Sequence, residues 1–239
     1  MSGDLQVHGI IEKGARQDAT SPAHQLVPFR EFDVLVSDYT LCLDTANVPQ
    51  DLLAAAAMDH HRILLAYCRD FALLPLRFGA VFSGTNALAD TMHRHEETYA
   101  EALRALADQR EYTVELLVET AQVVPNTPSK DGRAFLNNRR SLRDQRRSIS
   151  QNRMDIVNEL RAQVTAISTR APQHGVPKPE KALDMSVLLS PEATQKLEDL
   201  ALGIQKRAAA LGLRLCIKGP WPAYHFAWPD NSPEAQYGA

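Results

Sequence analysis

Short apolar runs and alternating runs in the first 120 positions predict three strands. The clearest is EFDVLVSD, in which Phe32, Val34 and Val36 share one face and Asp33 belongs to the other. Residues 111–120 alternate in the same way, and LQVHGII is a shorter apolar run. One solvent-exposed face on each strand favours an antiparallel sheet with helices on the opposite face.

Apolar residues spaced three and four apart predict two helices between these strands. The first follows NVPQD and has the stripe Leu53, Ala57, His60, Leu64, Tyr67 and Phe71. The second begins near residues 83–85, where hydroxyl groups can cap it, and has the stripe Leu88, Met92, His95, Tyr99, Leu103 and Leu106. Pro75 and Gly79 interrupt LLPLRFGAVF, which predicts an extended segment that leads into a turn.

A long helix is predicted over residues 133–169, after the turn-rich segment AQVVPNTPSKDG. Apolar residues recur every seven positions along it, at Phe135, Leu142, Ile149 and Ile156. Arginines lie beside this seam until Leu160 restores an apolar pair, and they form a ridge of Arg139, Arg143, Arg146, Arg147 and Arg153.

The chain then predicts one strand–helix–strand unit. ALDMSVLLS and LRLCIK are the strands, and between them Ser190 is a good helix N-cap, Pro191 suits the first turn and Gly212 suits the helix end. The unit is right-handed if its two strands are parallel.

Together these elements predict an α+β protein of two small domains, with ferredoxin-like variants as candidates for their arrangement. The N-terminal domain, residues 1–120, has an antiparallel-type sheet with helices on one face. A linker covers residues 121–132, and the C-terminal domain, residues 133–228, combines the long helix with the strand–helix–strand unit. Residues 229–239 are polar and are predicted to be a disordered tail.

Composition narrows the class of protein. The chain has 239 residues and a formal net charge of −3, which argues against general coating of nucleic acid or of acidic membranes. No segment is long and apolar enough to span a bilayer, and MSGDLQVHGI lacks the features of a secretion signal. Cys42, Cys68 and Cys216 have no metal-like spacing, so reduced thiols in a cytoplasmic protein are expected.

No catalytic, phosphate-binding or metal-binding motif is present, and no cofactor is expected. In HRHEE, His93 and His95 lie on different sides of a helix and cannot share a metal. His60 is interpreted as a hydrogen-bonded core residue. The arginine ridge could bind nucleic acid, but it lacks interleaved aromatic residues for stacking, so docking to an acidic protein or simple solvation is favoured.

Several motifs, in order along nearly the whole chain, resemble the gas vesicle protein family GvpF/GvpL. They are HHRIL around His60, PLRFG (Pro75, Leu76, Arg77, Phe78 and Gly79), DGRAFLNNRR with Gly132 and Arg133, SVLLSPEA, and GPWPAYHF with Gly219, Pro220, Trp221, Pro222, Tyr224 and Phe226. The chain departs from the family pattern at its first strand, which reads LQVHG, and at Ala223, where the family often has proline.

The resemblance implies a non-enzymatic accessory or minor structural protein of gas vesicle assembly, located in the cytoplasm and at the vesicle. Gas vesicles are hollow protein shells that give aquatic prokaryotes buoyancy. The implied partners are the small shell protein and sibling accessory proteins, with no nucleic acid and no membrane. A nucleic-acid-binding protein that uses the arginine ridge and an unrecognised small-molecule enzyme remain the alternatives.

Two further expectations concern these motifs. Trp221, Tyr224 and Phe226 are expected to fold back as anchors on the C-terminal domain, with an exposed aromatic hook for a partner as the alternative. Arg77 lies between apolar neighbours, so its guanidinium is expected to be partly buried and bonded to a carboxylate or to backbone carbonyls.

Overall fold

The computed structural model describes residues 3–18, 22–39, 48–119, 132–176 and 178–228, without the side chains of 132 and 134–136. Most of the predicted linker, the predicted tail and Cys42 lie outside these ranges. The chain forms two compact units. The first unit comprises the residues up to Glu111 together with the segment from Gly219, and the second unit comprises Tyr112–Lys218.

The first unit contains one antiparallel sheet and helices on both of its faces. Its elements in chain order are β1 (Leu5–Glu12), β2 (Gln25–Pro28), β3 (Phe32–Asp38), α1 (Gln50–Cys68), β4 (Leu73–Pro75), β5 (Val81–Phe82), α2 (Gly84–Arg94) and α3 (Glu96–Ala105). The strand order is β2–β3–β1–β4, and β5 pairs with β1 along the edge that β4 also uses.

Both faces of this sheet are buried, whereas the alternation in β3 predicted helices on one face. Leu35 packs with Ile63 and Leu64 of α1. Phe32, on the opposite face, contacts Tyr99 of α3, with 5.9 Å between the ring centroids. The sheet is therefore the middle layer of this unit.

The second predicted helix is divided in the structure. α2 ends at Arg94 and α3 begins at Glu96, because the backbone of His95 leaves helical geometry with φ −113° and ψ 17°. The apolar stripe nevertheless continues through both helices, and Leu88, Met92 and Leu103 are buried. Apolar spacing therefore gave the buried side of these helices but did not reveal the break between them.

The second unit has one sheet with the strand order β7–β8–β6–β9. Its elements in chain order are β6 (Arg110–Val118), α4 (Gly132–Ile167), β7 (Gln173–His174), β8 (Lys181–Leu189), α5 (Pro191–Ala210) and β9 (Leu213–Trp221). The unit boundaries fall inside β6 and β9. The alternation of residues 111–120 predicted a strand of the N-terminal sheet, but Val114 and Leu116 of β6 are fully buried in the core of the second unit.

Helices α4 and α5 contribute to the same core as the sheet. Its buried residues are Val114, Leu116, Ile156, Leu160, Val164, Leu183, Met185, Val187, Leu189, Ala193, Leu197, Ile204, Ala208 and Leu213. α5 begins as predicted, because the Ser190 side chain accepts a hydrogen bond from the Ala193 amide at 3.2 Å. Among the described side chains of α4, only those from Ile156 onwards are buried in this core.

Two isoleucines of α4 provide a matched test of this arrangement. Ile156 is 5% exposed and Ile149, one heptad earlier, is 36% exposed. We expect Ile156→Ala to lower the free energy of unfolding of the second unit by about 2–4 kcal/mol, since it leaves a cavity. Ile149→Ala should cost less than about 1 kcal/mol. Urea unfolding followed by circular dichroism measures both, and equal losses would contradict the buried register of α4.

Candidate functional site

Two buried histidines lie at the centre of the first unit. His8 is at a bulge in β1, since the pairing of β1 with β3 shifts register between Val7 and Gly9. Its Nδ1 atom is 2.9 Å from Nδ1 of His60 on α1, and its Nε2 atom is 2.9 Å from Oγ of Ser37 on β3. Nε2 of His60 lies 3.1 Å from the carbonyl oxygen of Leu76. His60 is thus the hydrogen-bonded core residue that its apolar stripe indicated.

With both imidazoles neutral, these four groups have one consistent set of donors and acceptors. The Leu76 carbonyl can only accept, so Nε2 of His60 carries a proton and its Nδ1 accepts. His8 must then donate from Nδ1 to Nδ1 of His60, and its Nε2 accepts a hydrogen bond from the Ser37 hydroxyl. Both imidazoles are neutral in this arrangement.

Burial keeps the two imidazoles neutral. Desolvation, with a smaller contribution from His60, lowers the pKa of His8 from 6.5 to about 3. Desolvation also lowers the pKa of His60 to about 4, although the bond to Leu76 opposes that shift. A proton added to either ring would place a charge in a site where no described carboxylate is bonded to it, which explains the direction of both shifts.

The PLRFG motif forms the turn that closes this site. The Leu76 amide donates to the His8 carbonyl at 2.9 Å, and the Phe78 ring meets the His60 ring edge-on at 5.7 Å. The Ala80 amide donates to the Arg77 carbonyl at 3.1 Å, which closes a β-turn. Gly79 has φ +90° at the third position of that turn, where a side chain is disfavoured.

The expectation for Arg77 is wrong. The residue is exposed, and its side chain forms no hydrogen bond or ion pair among the described residues. The reason is local: Arg77 is the first residue of the β-turn and is exposed there, whereas Phe78 contacts His60 and Leu76 is half-buried. Apolar sequence neighbours therefore did not indicate burial at this position.

The histidine pair lines a cleft of about 1040 Å³. Its wall also includes Gln6, His24 and Asp59, so it is mixed polar and apolar. Within the described ranges, no three His, Cys, Asp or Glu side chains are placed to hold a metal ion. The described part of the chain likewise has no helix with the length and hydropathy of a membrane span.

The GPWPAYHF segment packs within the first unit, so its expected anchoring on the C-terminal domain is wrong. Trp221 and Tyr224 both lie against the ring of His61 on α1, at centroid distances of 6.1 and 5.9 Å. The Tyr224 hydroxyl is 2.8 Å from Nδ1 of His61, and the buried Cys68 thiol donates to the Pro220 carbonyl at 3.8 Å. The segment is a cover on α1, with its aromatic rings turned towards that helix.

The anchor of this cover is Phe226, which is 3% exposed, together with the buried Pro222. Gly219 permits the entry into the segment, because its φ of +133° lies in the region that favours glycine. Trp228 adds a contact with β4, since its indole nitrogen donates to the Pro75 carbonyl at 3.2 Å. Tyr224 remains 44% exposed.

A buried carboxylate fixes the same segment. Glu111 is 2% exposed, although its place in the alternation of β6 predicted a solvent-facing residue. Its carboxylate accepts from the His225 amide at 3.0 Å and lies 2.6 Å from Nδ1 of His225. No local sequence signal indicated this pair, because its members are 114 positions apart.

A second carboxylate of β6 is buried within the second unit. Glu115, 3% exposed, pairs with Lys181 and, at 2.7 Å, with Lys218. The hydrogen bonds from these two lysines hold the pKa of Glu115 below its usual range, against the opposing effect of burial. Cross-strand ion pairs of this kind link β6 to its two neighbours, β8 and β9.

The arginine ridge is divided by the structure. Arg139, Arg143, Arg146 and Arg147 are exposed on α4, and so is Arg133 near its beginning, next to Gly132. Arg153 instead donates from Nε to the Leu211 carbonyl at 2.7 Å, at the end of α5. Arg153 therefore caps the C-terminal end of α5. It is bonded there and is not a docking residue like the four exposed arginines.

Comparison with known proteins gives one family and one fold. The family model described as gas vesicle synthesis protein GvpL/GvpF matches residues 7–228. The crystal structure of GvpF from Anabaena sp. PCC7120 is similar, with a TM-score of 0.66 and 16% identity over 96% of this chain and 98% of that chain. GvpF from Microcystis aeruginosa has a TM-score of 0.66 and 15% identity over 95% of this chain and 99% of that chain. No curated protein sequence matches the chain.

Because Phe226 is buried in the first unit, it predicts which unit loses stability when its ring is removed. We expect Phe226→Ala to lower the free energy of unfolding of the first unit by about 3–5 kcal/mol, because a buried ring is lost. Tyr224→Phe should cost about 1 kcal/mol or less, since it removes one exposed hydrogen bond. Denaturant unfolding and hydrogen exchange of α1 measure the effect. Loss of protection in α5 with none in α1 would contradict the assignment.

The histidine pair predicts a pH dependence of stability. As pH falls below 6.5 the unfolded chain binds protons at His8 and His60, while the folded chain binds them only towards pH 3–4. The stabilisation present above pH 6.5 is therefore lost progressively between pH 6.5 and about 3. Urea unfolding at several pH values measures this loss. NMR of the two rings should show both mostly unprotonated at pH 5 in the folded protein, and a midpoint near 6.5 for either would contradict the site.

Proposed function

Because the chain belongs to the GvpL/GvpF family of gas vesicle synthesis proteins, we propose that it binds the small shell protein and sibling accessory proteins during vesicle assembly. The match over residues 7–228 carries the proposal, since it includes both units. The family is non-enzymatic in general, and its role in gas vesicle formation is an accessory one.

The second sheet offers a surface suited to the shell protein. β9 is an edge strand of nine residues and pairs only with β6 in the described part of the chain. An edge strand can accept another strand through its backbone, with little demand on the partner's sequence. A shell subunit that must not aggregate before assembly would be protected by such pairing.

The residues of β9 suit an edge strand that is held in place and does not pair freely with itself. Leu215 and Ile217 are partly buried against the core of the second unit, so the strand is held in place. Arg214 and Lys218 are exposed, and charged side chains on an edge discourage uncontrolled self-pairing. Cys216 lies between them, is a free thiol and is partly exposed.

A substitution at Cys216 tests shell binding. Cys216→Lys adds a charge to the middle of the edge strand, and we expect it to reduce recovery of the shell protein at least fivefold in pull-downs from cells that express the vesicle proteins. Cys216→Ser is the matched control and should bind like the original protein. Equal recovery by both variants would exclude β9 as the shell-binding edge.

The role itself is tested by deletion of the gene, which should abolish or strongly reduce gas vesicles, and by its restoration. The full-length protein is also tested against random duplex DNA and RNA in a gel shift near physiological salt, where we expect no appreciable binding. Normal vesicles in the deletion strain, together with tight and salt-sensitive binding to nucleic acid, would support the nucleic-acid alternative instead.

A further inference from the structure

The N-terminal part of α4 is a helix surface that no other described element covers. Residues 137–152 are all exposed except Leu142, which is partly exposed. At 1.5 Å per residue this stretch is about 24 Å long. We call it the exposed half of α4. A helix with so little burial gains almost nothing from tertiary packing, which is the usual source of helix stability in proteins.

The exposed half of α4 is strongly basic in a chain that is acidic overall. It contains five arginines and one acidic residue, Asp144, whose carboxylate is 3.9 Å from Nε of Arg143. The arginines are Arg139, Arg140, Arg143, Arg146 and Arg147. Positive charge at this density attracts an acidic surface and steers its approach.

The same stretch has an apolar seam. Leu142 and Ile149 are seven residues apart, and the spacing continues to Ile156, which is buried in the core of the second unit. A seven-residue repeat is the pattern of a helix that packs against another helix along its length. Arg139 and Arg146 each precede a seam residue by three positions, so they flank the seam as charged residues flank a coiled-coil interface.

The charges and the apolar seam together indicate which kind of partner fits the exposed half of α4. A second copy of this surface would bring one group of arginines against another, which costs free energy. Nucleic acid would satisfy the arginines but would leave Leu142 and Ile149 without apolar contacts, and residues 137–152 contain no aromatic side chain for base stacking. An acidic amphipathic helix satisfies both features, with apolar residues on the seam and carboxylates opposite the arginines.

We propose that the exposed half of α4 binds an acidic amphipathic helix of a partner protein, with Leu142 and Ile149 in the interface and Arg146 paired to a carboxylate at its margin. The polar residues Asn138, Gln145 and Asn152 lie next to the seam and limit its apolar width. The contact is therefore of moderate affinity and sensitive to salt. The proposal rests on the proposed function only for the partner's place in vesicle assembly.

A synthetic acidic helix tests the surface directly. The probe has about four heptads, with leucine and isoleucine on one stripe and glutamate beside it. We expect the full-length protein to bind it with a Kd below about 100 µM, and to lose at least tenfold in affinity when salt is raised from about 0.1 to 0.5 M. No binding up to that concentration overturns the proposal.

Variants locate the contact. Arg143→Glu with Arg146→Glu, and separately Ile149→Ser, should each weaken binding at least fivefold. Lys196→Glu with Lys206→Glu is the matched control, since it makes the same charge change at exposed positions of α5 and should leave binding within twofold. Circular dichroism verifies that each variant is folded. Equal weakening by the α4 and α5 double variants would mean that net charge alone drives binding, and would overturn the proposed site.

A photo-cross-linker placed at position 149 in cells that make vesicles identifies the partner, and the same group at position 206 is the control. We expect a cross-link from position 149 to an acidic amphipathic helix of another vesicle protein. A cross-link to RNA or to a second copy of this chain, or to no vesicle protein, overturns the proposal. If deletion abolishes vesicles without such a cross-link, only this contact fails; if the acidic helix binds but vesicles form normally after deletion, only the proposed function fails.

Discussion

The first unit depends on a pair of buried histidines that must stay neutral and fully hydrogen-bonded. His8 in β1, Ser37 in β3, His60 in α1 and the Leu76 carbonyl in the turn are joined by three successive hydrogen bonds. Each of these four pieces of chain supplies one member, so none can shift without leaving a buried polar group unsatisfied, at about 1–3 kcal/mol. The bulge in β1 and the PLRFG turn are the local geometries that make the alignment possible.

Elements with a local signal could be predicted from the sequence. α5 was predicted with its ends because Ser190, Pro191 and Gly212 act within one helical turn of their positions. The short strands β2 and β7 have four and two residues, too few for a repeat to be visible. The break at His95 was missed for a similar reason, since a stripe of apolar residues continues across it with the spacing of one helix. Arg77 shows that a residue in a turn can be exposed although both of its sequence neighbours are apolar.

The site was predicted in its parts and not in its arrangement. The motifs HHRIL, PLRFG and GPWPAYHF were identified, but nothing in their spacing showed that the first two meet at His60 or that the third covers α1. Glu111 and Glu115 were predicted to face solvent because alternation reports only which residues share a face of a strand. The groups that cover this face of β6 are His225, Lys181 and Lys218, which lie far along the chain from it. Pairing over such distances leaves no trace in local periodicity.

The division of the chain has a consequence for protein synthesis. The second unit is one continuous stretch, Tyr112–Lys218, whereas the first unit needs Phe226 and its neighbours in addition to the residues before Tyr112. During synthesis, the second unit therefore has all of its residues before the first unit does. The surface of α1 around His61 and Cys68 in the first unit has no cover until the GPWPAYHF segment has been made. A chain that ends between residues 218 and 226 therefore has every residue of the second unit but lacks Phe226, the buried anchor of the cover on the first.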